Sequence, residues 1–133
     1  MKYFLPFILF FAFVGCDNDS NEINPTESKI LGSWKMVRQQ YSIGGPPFWE
    51  EVLDGEILEF QKNFVFKVVK DNSESGIGIF DLRNDSLIRT FSNDTDSIKY
   101  ISQIQLKGNK MLLIPVSPNR CIEGCSFEYL KME

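Results

Sequence analysis

The residues able to do chemistry in this chain of 133 are few. It contains no His, so Ser-His-Asp triads, Cys-His dyads and His-based zinc sites are excluded. Its three cysteines are Cys16, Cys121 and Cys125. Cys121-Ile122-Glu123-Gly124-Cys125 is a C-x3-C pair; in an exported chain it reads as a disulfide, with Gly124 permitting the tight turn. A metal site would need further ligands, and redox pairs use two spacer residues rather than three. Glu50 and Glu51 are neighbours, so on a strand they point to opposite faces and make poor paired carboxylates. No nucleophile–base pair is visible, no metal ligand set or cofactor is implied, and the expectation is a non-enzyme. With 14 basic and 18 acidic residues the formal charge is -4, which argues against a nucleic-acid partner.

What Cys16 does depends on the segment before it. Met1-Lys2 is followed by the apolar run Tyr3–Val14. As a helix that run would be about 18 Å long, short of a hydrocarbon core of roughly 30 Å, so it reads as a secretory signal peptide. It closes on Phe13-Val14-Gly15-Cys16, which resembles the lipobox of bacterial lipoproteins. In that family the Cys is lipidated, the leader is cut before it and the new amine is acylated. The resemblance implies a signal peptide over 1–15, a lipidated Cys16, and a membrane held through its acyl chains, since two or more chains anchor stably. Residues 16–28, rich in Asp, Asn, Ser and Glu, form an acidic flexible tether. Asp17 and Asp19 resemble a surface-export signal of some Gram-negative lineages. The implied location is the outer membrane, on the periplasmic face or at the cell surface.

The remaining segment, 29–133, reads as one domain. It contains no Ala, the strongest helix former, and period-2 alternation recurs, as in Ile98, Tyr100, Ser102, Ile104 and Leu106. The pattern predicts strands over 30–42, 55–62, 64–70, 76–83, 86–92, 97–107, 110–116 and 125–132. Turn-forming dipeptides such as Asn84-Asp85 and Gly108-Asn109 separate them. The connections are too short for parallel crossovers, and only 44–54 has room for a helical turn. The fold class is therefore all-β, a single eight-stranded antiparallel up-and-down barrel or a sandwich.

Leu31-Gly32-Ser33-Trp34 decides between these by resemblance: it is similar to the G-x-W opening strand of lipocalins and of lipocalin-like domains in small bacterial lipoproteins. The resemblance implies a barrel in which Gly32 lets the chain bend, Trp34 plugs the closed end and Arg120 covers that ring. Alternation places Phe60, Phe64, Phe66, Ile79, Phe91, Ile104 and Leu113 in the barrel interior. So many bulky rings in a short barrel favour a filled or nearly filled core. Phe48 and Trp49, after Gly44-Gly45-Pro46-Pro47, are expected at the open rim, as a lid, as a hot spot for a partner, or tucked into the barrel end. The function expected is binding of a small apolar ligand or an envelope protein; the alternative is a scaffolding lipoprotein with a solid core.

Overall fold

The structure, a computed structural model, describes residues 25–120 and 124–133. The expected signal peptide, Cys16, the acidic stretch up to residue 24 and Cys121 lie outside the described residues. The chain runs through α1 (Pro25–Ile30), β1 (Gly32–Tyr41), β2 (Phe48–Glu51), β3 (Ile57–Phe60), β4 (Val65–Lys70), β5 (Ser73–Arg83), β6 (Ser86–Ser92), β7 (Ser97–Lys107), β8 (Lys110–Ser117) and β9 (Ser126–Lys131). All strand pairings are antiparallel, and β9 returns to pair with β1. The result is a closed eight-stranded barrel with one extra strand, β2, so the eight expected strands are all present. Closure leaves no free edge in the barrel itself.

Turn chemistry explains the meander. The loops at 71–72, 84–85 and 108–109 are each two residues long. Asp71 and Asn72 both take positive φ, 52° and 60°, the conformation a twist-matched hairpin requires and Asx residues tolerate.

Two elements depart from the sequence reading. Residues 25–30, of which 25–28 were expected as tether and 30 as the start of the first strand, form α1, where Pro25 occupies the first helical position and Glu27 and Lys29 suit the ends of the helix dipole. Within 44–54, read from sequence as a rim loop with room for a helical turn, β2 pairs with the second half of β1, Arg38↔Glu51 through Tyr41↔Phe48. The first half of the same β1 edge carries β3, Gly32↔Phe60 through Lys35↔Ile57. Between them, hydrogen bonds from Val52 N to Val37 O and from Met36 N to Glu56 O, both 2.9 Å, hold the junction.

The core is concentrated at one end. Ile30, Trp34, Leu58, Phe60, Phe66, Phe80, Leu87, Ile104, Met111, Leu113 and Tyr129 are buried. Phe60 and Phe80 meet edge to face at 5.0 Å between centroids, and Phe66 and Phe91 at 4.8 Å, an arrangement that adds attraction beyond buried area. Phe91 is half-buried against this cluster.

Two expected interior residues lie elsewhere. Ile79 is on the outer face of β5 and 58% exposed. Gly76 and Gly78 hold the inner positions because the aromatic rings need their space: a Cβ on Gly78 would overlap the Thr90 carbonyl oxygen and stand 2.8 Å from the Phe66 ring, and one on Gly76 would stand 2.9 Å from the Phe91 ring. Phe64 precedes β4 in the turn from β3, with φ 59°, and is 47% exposed. Its carbonyl accepts from Phe80 N at 2.8 Å, so the turn geometry takes it out of the alternating series that begins at Val65.

Candidate functional site

β1 starts at the closed end and finishes at the mouth. At the closed end, Trp34 is fully buried and its Nε1–H donates to the Ile30 carbonyl at 2.7 Å, fastening α1 beneath the barrel. Gly32 takes φ +113°, a conformation L side chains rarely adopt. The cation over Trp34 is Lys131, with Nζ 5.2 Å from the ring centroid. Arg120, expected there, sits instead at the opposite end, among the residues lining the mouth. The last strand β9 ends beside Trp34, in register Trp34↔Lys131, and Lys131 also donates to the Lys29 carbonyl at 3.2 Å. Arg120 follows β8, whose end lies at the other rim.

The upper half of the barrel is open. A cavity of about 780 Å³ occupies it, within the size range of small-molecule sites, so the expectation of a filled barrel is corrected. Phe60, Phe66 and Phe80 fill the closed end, whereas the cavity wall above them mixes apolar and polar side chains. Met36, Leu113, Pro115 and Phe127 supply apolar wall. Tyr41, Asn119, Arg120 and Cys125 stand at the mouth. Cys125 is disulfide-bonded; its expected partner, Cys121, lies outside the described residues.

Inside this wall is a small set of polar groups from three strands, β6, β7 and β9, and the β2–β3 junction. The Tyr129 hydroxyl donates to Glu56 Oε1 at 2.9 Å. Burial, and then the neighbouring Glu56 charge, push the Tyr129 phenol well above its ordinary range, while Arg89 pulls it the other way. Tyr129 is therefore neutral and a donor at physiological pH. Arg89, on β6, faces inward between its cross-strand neighbours Phe80 and Tyr100. Its guanidinium carbon lies 6.0 Å from the Phe66 ring centroid, and its Nε is buried with no hydrogen-bond partner. Ser102, next along the inner face of β7 after Tyr100, is buried too.

Of the residues expected to form a site, Phe60, Phe66, Ile104 and Leu113 are buried, and Leu113 also lines the cavity. Phe48 and Trp49 are not among the residues lining the cavity. They lie on β2, exposed, rather than tucked into the barrel end. The Phe48 ring stacks at 4.5 Å on Tyr41, which does reach the mouth, and the Arg38 guanidinium covers Trp49 at 5.0 Å on the other face of the strand. Glu56, Arg89 and Tyr129 were missed. The signal for Arg89 was present: Leu87, Arg89 and Phe91 alternate on one face, so a cation occupies an otherwise apolar inward series. Among the described residues no group of three or more Cys, Asp or Glu is arranged to hold a metal ion. The sequence matches no protein-family model and no curated protein.

Proposed function

We infer that this protein is a membrane-anchored envelope lipoprotein whose lipocalin-like barrel holds a small, largely apolar molecule. The observation that carries the binding reading is the cavity of about 780 Å³, walled mainly by apolar side chains with a few convergent polar groups. The lipobox resemblance at Phe13–Cys16 supports the anchor, and the G-x-W opening of a closed antiparallel barrel supports the lipocalin likeness. The reading is of a binder rather than a catalyst. A second reading, a protein partner, rests on β2, where Phe48 and Trp49 are 41% and 37% exposed on a strand paired along one edge only.

The test is native mass spectrometry of protein extracted from its own membranes, paired with uptake of the neutral polarity-sensitive dye Nile red. The expected result is an adduct mass lost on denaturation, dye uptake by the emptied protein, and loss of uptake in Leu113→Trp, which fills the cavity. Protein that carries no adduct and takes up no dye refutes the binding reading. For the anchor, Cys16→Ser is expected to move the protein from the membrane to the soluble fraction; unchanged fractionation refutes lipidation.

A further inference from the structure

Resting on the reading of the cavity as a ligand site, we propose that its occupant is an amphipathic carboxylate, its tail along the apolar wall and its headgroup on Arg89.

Arg89 is the central observation. A guanidinium carries donors in a fixed planar fork, and buried donors are nearly always partnered. Here the Nε is buried and unpartnered. Among the described residues no carboxylate lies in an ion pair with Arg89; the pairs formed are Arg38 with Glu128, Lys67 with Glu74, Arg83 with Asp81 and Lys110 with Glu128. Glu56, the one acid on the cavity wall, is engaged by the Tyr129 hydroxyl instead. The Arg89 guanidinium carbon lies over the Phe66 ring, 6.0 Å from its centroid.

Charge around the cavity points the same way. Its lining carries Arg89 and Arg120 against Glu56 alone, a local excess of one positive charge in a chain of formal charge -4. A single anion neutralises the cavity. Arg matches a carboxylate through two parallel N–H···O bonds. The neutral Tyr129 hydroxyl and buried Ser102 lie on the same inner wall, and Leu113, Pro115 and Phe127 offer apolar surface to the remainder of the molecule. A neutral apolar ligand would occupy the space and leave the Arg89 charge without a counter-ion.

The experiment is displacement of Nile red from the mature-length protein at neutral pH by dodecanoate and by dodecanol, which share a chain length and differ in headgroup charge. Wild-type protein is expected to bind dodecanoate roughly tenfold or more tightly than dodecanol, the scale of a charge-assisted pair. Arg89→Gln should abolish the preference while dodecanol binding persists, and Arg89→Lys should retain part of it. Glu56→Gln, which keeps a hydrogen-bond acceptor for Tyr129 but removes the opposing charge, should strengthen dodecanoate binding several-fold and leave dodecanol unchanged; this arm decides the matter if Arg89→Gln does not fold. Equal affinities in the wild type overturn the proposal. So does a preference that survives Arg89→Gln, or one that disappears only in Arg120→Gln, which would put the headgroup at the mouth. Nile red and dodecanol binding without preference for the carboxylate defeats this proposal alone. Absence of all binding defeats the ligand-site reading with it.

Discussion

Gly78→Ala tests the inner face of β5 by adding one methyl group. If Ile79 faced inward, as alternation of the apolar residues suggested, Gly78 would face solvent and Ala would be harmless or helpful. The structure puts Gly78 inside, where a Cβ overlaps the Thr90 carbonyl oxygen and comes within 2.8 and 3.1 Å of two Phe66 ring atoms. The carbonyl belongs to the paired strand β6 and cannot rotate aside. Overpacking of this kind costs about 1–3 kcal/mol, and the reduced freedom of the unfolded chain returns about 0.4–1 kcal/mol. The net is a destabilisation of about 1–2 kcal/mol, a fall in Tm of roughly 5–15 °C for a domain of this size. Gly45→Ala is the control: no atom lies within 4 Å of the added Cβ and φ is not positive, so only the unfolded-state effect remains and stability should hold or rise slightly. The assay is thermal and urea unfolding of both variants beside the wild type. Phe66→Leu combined with Gly78→Ala should recover part of the loss, because the ring contact is relieved and the carbonyl contact is not. Gly78→Ala at or above wild-type stability would refute the register and, with it, the account of how the aromatic cluster is packed.

Two further perturbations probe the ends and the outer wall. Trp34→Phe removes the 2.7 Å bond to the Ile30 carbonyl and leaves that acceptor buried; a loss of about 1–3 kcal/mol is expected, read as a lower urea midpoint together with faster amide exchange in α1. On the outer wall, Arg38 engages Glu128 through two bonds, Nη2 to Oε2 at 2.7 Å and Nε to Oε1 at 3.1 Å. That hydrogen bonding, with the charges of Arg38 and Lys110, holds the Glu128 carboxyl below its ordinary 4.5. Its folded-state value being the lower one, the pair's contribution is fully present above the ordinary value and is lost as pH falls through the lowered one. The gap in urea midpoint between wild type and Arg38→Met should therefore be open at neutral pH and close in acid; a gap independent of pH would show that the ionic pairing contributes nothing.

The strand order was legible because two local signals agree: apolar residues alternate, and Asx- or Gly-containing dipeptides punctuate them. β2 was not, since Phe48-Trp49-Glu50-Glu51 shows no alternation and every one of its side chains is exposed. β5 misled for a different reason. Its inward positions are glycines that make room for Phe66 and Phe91, so the apolar residues with visible periodicity, Ile77 and Ile79, are the outward ones. Arg120 was placed over Trp34 by order in the chain, yet the strand that ends beside Trp34 is β9, and Lys131 arrives there. The cavity could not be read at all, because an unfilled volume depends on barrel radius and on how rings are shared between levels. Its polar lining was half legible: Arg89 breaks an inward apolar series, whereas the approach of Glu56 to Tyr129 joins residues 73 apart in sequence.

The fastening of α1 under Trp34 also sets an orientation. The segment upstream of Pro25 joins the molecule at its floor, on the side opposite Tyr41 and Arg120. With the proposed anchor at Cys16, a tether rooted in a bilayer would draw the floor toward the lipid and turn the opening outward. Under the proposed anchor and ligand site, the barrel would load and unload on its aqueous side, like a cup standing on a table, and a molecule leaving the membrane would first cross water to enter it.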